Sequence, residues 1–340
     1  MNGPNGGAAK SAGESRGAGR KGKTALRVLA GLGMLAILLY LGRHYLRDLR
    51  QIAHVSAWWW AALAGMYLVM RAFQGEVFRA AIGEMNIRIG VYESFMLAMV
   101  VSLTNLVLPR AGMGAPALYL KTRHGLGLAQ FASLLLPTTI LQLTCIGGVG
   151  LLCQGYLAWR GSVAWNWPLA ICLAGLLLVS LAMLACPARW DIAPTNRVTA
   201  FLRRFLDSWE LLRKNRPLMW YILAMNSGLL LVQGVRLWGC YQALGYKQVS
   251  LAAAVVSSFM GQVGMLVSIV PGGLGFREGA IMASASALGV DPSISATAAV
   301  LDRAVMTAIV AVVGLIGVFQ FIRPMLAQRS SGSTPLEKGN

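Results

Sequence analysis

The chain has 340 residues, of which 56% are hydrophobic and only 12% are charged, and its mean hydropathy is +0.61. Soluble domains carry about 25% charged residues, so this composition excludes an ordinary soluble protein and predicts an integral membrane protein. The formal net charge of +18 fits basic loops beside anionic headgroups. We therefore expect membrane lipids as partners and no contact with nucleic acid.

The first residues and the first apolar run are predicted to differ in structure. Residues 1–24 are rich in Gly, Ala, Ser and basic side chains, which predicts a disordered cytoplasmic tail. The apolar run at 25–42 lacks a convincing cleavage site and is predicted to be a retained first span. A membrane domain is predicted over 25–323 and a polar tail over 324–340. The apolar runs leave no space for a large soluble domain, so we expect no fused catalytic domain.

The remaining apolar runs predict an all-α protein with about eight transmembrane helices. A second span is predicted at 56–73, followed by an amphipathic surface helix at 74–90. The later apolar segments lie at 91–108, 127–152, 165–185, 217–240, 249–270 and 293–322.

The distribution of Lys and Arg predicts the topology. Both termini and the basic loops 74–90 and 186–216 are predicted to be cytoplasmic, whereas the cation-poor loops 153–164 and 241–248 are predicted to lie outside. Segments 91–152 and 249–322 then cross the membrane in opposite senses. Each contains an apolar helix, a Pro/Gly break, a short apolar piece and a long helix. This order predicts an inverted repeat, an arrangement that places transporter sites near the bilayer midplane.

The predicted breaks interrupt apolar sequence with Pro and Gly. The second unit contains Ser268-Ile-Val-Pro-Gly-Gly-Leu-Gly-Phe-Arg-Glu-Gly-Ala280. Because irregular backbone at membrane depth survives only against protein or a wet cavity, each break predicts a broken or re-entrant segment beside such a cavity. The break residues are predicted to be Pro109, Gly112, Pro271, Gly272, Gly273, Gly275 and Gly279.

Ionisable side chains within these segments are the candidate substrate contacts. Arg277 is predicted to bind a lipid phosphate through its planar guanidinium, with Glu278 orienting it or contacting the headgroup. The alternative is a structural ion pair that braces a re-entrant hairpin. Asp302 and Arg303 are adjacent and point about 100° apart, so they need partners elsewhere, and Arg277 and Glu278 are natural ones. The alternative for Asp302 and Arg303 is placement at the membrane interface.

Two further sets of polar side chains are predicted to line the translocation path. Arg110 and Asn105 are the counterparts in the first unit, although Asn105 has the alternative role of bonding backbone groups freed by the break. Arg236, Gln233 and Asn226 share one inward face of a helix, for which polar contact between helices is the alternative explanation.

Catalytic patterns are weak in this sequence. The three histidines and five cysteines form no HExxH, CxxC or zinc spacing, and GxSxG and P-loop patterns are absent. We therefore expect no enzyme activity, no cofactor, no metal site and no disulfide framework.

Arg71, which lies near the end of a predicted span, is expected only to snorkel towards the interface.

The run Pro271-Gly-Gly-Leu-Gly-Phe-Arg-Glu-Gly279 resembles the signature of the lysylphosphatidylglycerol synthase transmembrane-region family, the flippase-like domain of the multiple peptide resistance factor. The resemblance covers roughly residues 25–323. It implies a polytopic inner-membrane protein that moves a lipid or lipid-linked headgroup across the bilayer. Supporting matches are Arg71, Arg79, Asn105-Leu-Val-Leu-Pro-Arg-Ala-Gly112 and Asp302-Arg303.

Two departures from the family pattern concern the first unit. The family motif continues with Gly-Glu and then Arg, whereas here Gly112 is followed by Met113-Gly-Ala-Pro116. The acidic-Arg pair common early in the next helix is replaced by the uncharged stretch Leu134-Leu-Leu-Pro-Thr-Thr-Ile-Leu-Gln142. These departures imply a headgroup unlike an aminoacylated phospholipid, a reduced activity, or dependence on a partner subunit.

The sequence therefore predicts translocation of an anionic phospholipid, a glycolipid or a polyprenyl-linked precursor in the bacterial inner membrane. Two alternatives stay open at this stage. One is a non-transporting partner of an envelope-biosynthesis enzyme complex, and the other is a lipid-modifying transferase. The sequence leaves the oligomeric state undetermined.

Overall fold

The computed structural model describes residues 52–107, 114–126, 128–185, 214–267 and 273–322, together with isolated positions between 196 and 210. Within these residues the regular structure is helical and contains no strand, as the composition predicts. The helices are α1 (Ala57–Gly83), α2 (Val91–Val107), α3 (Gly114–His124), α4 (Leu128–Trp159), α5 (Trp167–Ala185), α6 (Arg216–Ala243), α7 (Leu251–Val267), α8 (Phe276–Ala287) and α9 (Pro292–Gly317), and a π-helix (Val318–Ile322) continues α9.

Four helical segments in the described part of the chain are long and apolar enough to cross a membrane, and α2 and α7 are shorter apolar helices. The chain is therefore a multi-pass, all-α membrane protein. The predicted first span at 25–42 and the tail at 324–340 lie outside the described residues, and the number of about eight spans stays a prediction. The four segments are Pro137–Trp159, Trp167–Ala185, Arg216–Ala243 and Pro292–Phe321.

The predicted boundary between a span at 56–73 and a surface helix at 74–90 is wrong. Helix α1 runs without a break through 27 residues. Its second half packs closely on α2, since a Cβ at Gly75 would lie 2.8 Å from the backbone nitrogen of Phe95. The charges that suggested a surface helix, Glu76 and Arg79, pair with each other on the more exposed side.

Helices α7 and α8 form an antiparallel pair, here called the second hairpin. A Cβ at Gly261 would meet Ile281, and a Cβ at Gly264 would lie 2.7 Å from the carbonyl oxygen of Phe276. Earlier residues of α7 therefore face later residues of α8. The 12 residues of α8 extend about 18 Å, too short for a hydrocarbon core of about 30 Å. This segment thus enters the bundle and returns to the same end.

Helices α2 and α3 form the first hairpin in the same way. The carboxylate of Glu93, in the first turn of α2, accepts a hydrogen bond from the Tyr119 hydroxyl at 2.7 Å. It also lies 2.9 Å from Nε2 of His124, the last residue of α3. These contacts bring the end of α3 back to the start of α2. The connection at 108–113, which includes Pro109, Arg110 and Gly112, lies outside the described residues.

The loops of the bundle sort into two ends. At the basic end, defined by residues 84–90, 123–126, 214–216 and 318–322, the Asn215 side chain donates to Glu84 at 2.7 Å. At the tryptophan end, defined by residues 52–58, 159–167, 243–250 and 287–292, the Asn166 side chain donates to the Ala287 carbonyl at 3.3 Å. Trp58, Trp159 and Trp167 are exposed there, as in an interfacial aromatic belt.

The two hairpins therefore enter the bundle from opposite ends. The first opens at the basic end and the second opens at the tryptophan end. Each hairpin also packs on the long helix of the other segment: α9 contacts α2 through Gly314 and Gly317, and α4 contacts α7. The inverted repeat of segments 91–152 and 249–322 stays a prediction.

Candidate functional site

A polar cavity of about 230 Å³ lies between the inner ends of the two hairpins. The first hairpin contributes Ser102 and Asn105 from the last turns of α2. The second hairpin contributes Gln262 from α7 and Arg277 from the first turn of α8. The cavity is therefore placed inside the bundle, where a hairpin approaches it from each end.

Three further helices turn polar side chains into this cavity. In α1 and α6 these side chains follow at intervals of three, four or seven residues, so they share one face. In α4, Thr138 and Gln142 are four residues apart and Thr139 is adjacent to Thr138. The sequence-predicted face of Asn226, Gln233 and Arg236 is buried inwards, as expected. The contributions are Tyr67, Arg71 and Gln74 from α1, Thr138, Thr139 and Gln142 from α4, and Asn226, Gln233 and Arg236 from α6.

Asp302 of α9 joins two of the cavity arginines. Nη2 of Arg236 lies 3.1 Å and 3.2 Å from the two carboxylate oxygens, and Nη2 of Arg277 donates to Oδ2. One fully buried carboxylate thereby links α6, α8 and α9. The pairing of Asp302 with Arg277 was expected from the sequence. The sequence placed Arg236 on the same path but did not identify its partner.

Glu278 joins the second hairpin to α9 through an ion pair with Arg303. Its Oε1 accepts a hydrogen bond from Nη1 of Arg303 at 2.7 Å, and its Oε2 accepts one from the backbone N–H of Gly275 at 2.9 Å. Both oxygens are thus engaged in capping α8 and holding it to α9. This geometry favours a structural role for Glu278, with Arg303 rather than Arg277 as its ion-pair partner, since neither hydrogen bond of Glu278 orients Arg277.

The backbone at the start of α8 departs from regular helix where the sequence predicts a break. Gly273 and Gly275 have φ angles of +69° and +80°, a region that side-chain-bearing residues rarely adopt. The prediction for Gly279 is wrong: it lies within α8, and its N–H donates to the Gly275 carbonyl at 2.8 Å because the helix has already begun at Phe276. Pro271 and Gly272 lie outside the described residues.

Arg71 lies in the cavity lining, where the sequence did not predict it. The expectation that it snorkels from a helix end is wrong, because α1 continues well beyond it and Arg71 lines the cavity. Its Nε donates to the Tyr67 hydroxyl at 2.8 Å, and its guanidinium lies 4.9 Å from the centre of the Tyr67 ring. The guanidinium of Arg236 lies 5.0 Å from the same ring. A Tyr four residues before an Arg inside an apolar run was the available signal.

Several buried donors that belong to the cavity lining have no hydrogen-bond partner in the described part of the chain. They are Nε and Nη1 of Arg236, Nη1 of Arg277 and Nδ2 of Asn226. Buried donors in folded proteins nearly always have an acceptor, which can be water or a ligand. Since the described lining contains three arginines and no Asp or Glu, the cavity is suited to bind an anion.

The described residues contain no group of three or more His, Cys, Asp and Glu side chains arranged to hold a metal ion. Cys145, Cys153, Cys172 and Cys240 are free thiols. What the cavity offers chemically is positive charge and hydrogen-bond donors.

Comparison with known proteins places the chain in a family. The family described as lysylphosphatidylglycerol synthase TM region matches residues 24–314. A UPF0104 membrane protein from Methanothermobacter thermautotrophicus is 26% identical over 126 residues, a match that spans 37% of each chain. No solved structure matches the chain. The protein belongs to the lysylphosphatidylglycerol synthase TM region family.

Proposed function

We propose that the protein translocates an anionic lipid or lipid-linked headgroup across the bacterial inner membrane, with both termini in the cytoplasm. The observation that carries this proposal is the arginine-lined cavity between two hairpins that enter from opposite ends. Arg277, Arg236 and Arg71 supply guanidinium groups that suit phosphate oxygens. Broken helices that meet at a buried site are a recurrent transporter design.

The size of the cavity favours a headgroup rather than a whole lipid. Its volume of about 230 Å³ is below the range of about 300–1,000 Å³ typical of pockets that enclose drug-sized ligands. The headgroup would occupy the cavity while the acyl or polyprenyl chains stay in the bilayer.

The two hairpins suggest how access alternates between the two sides. Each one contributes lining residues from a different end of the bundle, so displacement of one hairpin would expose the cavity to that end alone. Glu278 and Arg303 would move as one unit with α8 and α9 because their ion pair joins these helices. We propose that these two residues brace the moving part, and that Arg277 contacts the headgroup.

We favour transport over the two alternatives because the lining supplies binding groups rather than an arrangement of nucleophile and base. The lipid-modifying transferase would need such an arrangement at this site. A non-transporting partner of an envelope-biosynthesis enzyme would tolerate loss of a cavity arginine without loss of lipid movement, and the experiment below distinguishes it.

The test is lipid movement in proteoliposomes made with purified protein. Fluorescent phospholipids, glycolipids and polyprenyl phosphates are placed in the membrane, and dithionite reports the fraction that reaches the outer leaflet. Arg71→Gln removes a cavity arginine, and Arg160→Gln is its matched control. Both arginines follow a Tyr by four residues and lie over its ring, but Arg160 is exposed at the tryptophan end.

We expect the parent and Arg160→Gln to move one lipid class at the same rate, and Arg71→Gln to move it at least about tenfold more slowly, the equivalent of one charge-assisted hydrogen bond. Equal rates in all three proteins would contradict the role of the cavity. A parent rate no higher than that of protein-free liposomes, for every lipid tried, would contradict translocation.

A further inference from the structure

We infer that the cavity selects a headgroup that ends in a dianionic phosphate, namely a phosphomonoester or a diphosphate ester, over a monoanionic phosphodiester. This inference deepens the proposed function and rests on it for the claim that the ligand is a lipid. It concerns the charge that the cavity recognises, which can be measured as binding without any lipid movement.

The first step is the charge balance of the cavity. Its described lining contains Arg71, Arg236 and Arg277 and no Asp or Glu. The carboxylate that contacts these arginines in the described residues is that of Asp302, which is shared by Arg236 and Arg277. One negative charge therefore faces three positive charges, and two positive charges are left for a ligand to balance.

Neighbouring charges do not alter this count. Arg303 is balanced by Glu278 through the ion pair at 2.7 Å. Because unbalanced charge is strongly disfavoured at membrane depth, the best ligand supplies about two negative charges.

The second step is the number of free donors. Asp302 occupies one nitrogen, Nη2, of each of two guanidinium groups. Nε and Nη1 of Arg236, Nη1 of Arg277 and Nδ2 of Asn226 are buried without an acceptor in the described residues. A terminal phosphate offers three strongly accepting oxygens and a charge of about −1.5 to −2 at pH 7. A phosphodiester offers one fewer oxygen and half of that charge.

The third step is that the arginines are held in place before a ligand arrives. Asp302 fixes Arg236 and Arg277 from one side, and the Tyr67 ring lies within 5.0 Å of the guanidinium groups of Arg71 and Arg236. Tyr67 itself is fully buried. Donors that are already oriented favour a ligand with several acceptors at one centre, since little side-chain freedom is lost on binding.

The experiment compares two lipids that differ in headgroup charge and carry the same acyl chains. Dioleoyl phosphatidic acid is the phosphomonoester, and dioleoyl phosphatidylglycerol is the phosphodiester. Their affinities are measured by isothermal titration of the purified full chain in neutral detergent at pH 8. Inorganic phosphate and pyrophosphate are then added as competitors. Parent, Arg71→Gln and Arg160→Gln proteins are compared after each has shown the same elution profile and melting temperature.

We expect the parent and Arg160→Gln to bind phosphatidic acid about tenfold or more tightly than phosphatidylglycerol, the effect of one additional charge-assisted contact. Arg71→Gln should lose most of this preference by weakening the binding of phosphatidic acid. Displacement by phosphate or pyrophosphate would support the phosphoryl group alone as the recognised feature. If neither phosphate nor pyrophosphate displaces the lipid and the preference for phosphatidic acid is intact, the recognised feature is the phosphoryl group as part of a lipid.

Equal affinities of the parent for the two lipids, or equal weakening of both by Arg71→Gln, would overturn the inference. The outcome is separable from that of the proposed function. A charge preference without lipid movement in proteoliposomes would leave the inference standing and remove translocation. Movement of phosphatidylglycerol without a charge preference would support translocation and overturn the inference.

Discussion

Replacing Asp302 by Asn removes the carboxylate that Arg236 and Arg277 share while keeping the size of the side chain. Asp302 is 0% exposed, and the two arginines are 1% and 2% exposed, so solvent screens the charges left behind only weakly. Removing one partner of a buried ion pair typically costs about 3–5 kcal/mol. Because two guanidinium groups lose their partner here, we expect the free energy of unfolding to fall by about 4–5 kcal/mol, the upper part of that range.

The matched control for this change is Glu278→Gln. Its carboxylate has the same kind of ion pair, but the side chains of Glu278 and Arg303 are 14% and 11% exposed. They are less deeply buried than Asp302 and its partners, and a neutral amide still accepts a hydrogen bond, so we expect a loss of about 1–2 kcal/mol.

A double variant separates loss of charge balance from loss of packing. Arg236→Met removes one of the cations that Asp302→Asn leaves unbalanced, so the two changes together should cost at least about 1–2 kcal/mol less than the sum of their separate costs. The assay is unfolding of the purified proteins in mixed micelles with increasing SDS, followed by circular dichroism. A cost of Asp302→Asn no larger than that of Glu278→Gln, or additive effects of Asp302→Asn and Arg236→Met, would refute the role of Asp302 as a shared counter-charge.

Two further predictions concern the second hairpin. Gly264→Ala should lower the free energy of unfolding by about 1–3 kcal/mol in the same assay, because its Cβ would lie 2.7 Å from the Phe276 carbonyl oxygen. The control Gly175→Ala should be neutral or stabilising, because no atom lies within 4 Å of its Cβ, and equal effects of the two changes would contradict the close packing of α7 on α8. In a chain without its native cysteines, Ser250→Cys and Pro292→Cys should react with an impermeant maleimide from the same side of the membrane. Labelling from opposite sides would show that α8 crosses it.

The apolar runs predicted several helices closely because burial in lipid depends on local composition. The span predicted at 165–185 is observed as Trp167–Ala185, and that at 217–240 as Arg216–Ala243. Pro and Gly predicted the interruption before α8 because their backbone preferences are also a local property of the sequence. The continuous α1 was missed because charges were taken as a sign of surface, although charges on one side of a helix leave its other side free to be buried.

The candidate site was predicted in its residue types but not in its assembly. The sequence indicated that Arg277, Asp302 and Arg236 need partners at membrane depth. It could not indicate that α6, α8 and α9 bring them to one carboxylate, since the partners are 66 and 25 residues away from Asp302. Seven described helices line the cavity, and their packing is not visible in the sequence, which is why Arg71 looked peripheral there.

Chemical blockage of the cavity tests most directly the claim that the headgroup passes through it. Ser102 lines the cavity, and Ser162 is exposed in the loop after α4. In proteoliposomes of the cysteine-free chain, Ser102→Cys and Ser162→Cys are each modified with a methanethiosulfonate, and modification is confirmed by mass. We expect modification to stop lipid movement by Ser102→Cys and to leave movement by Ser162→Cys unchanged. Unchanged movement by fully modified Ser102→Cys would contradict this claim.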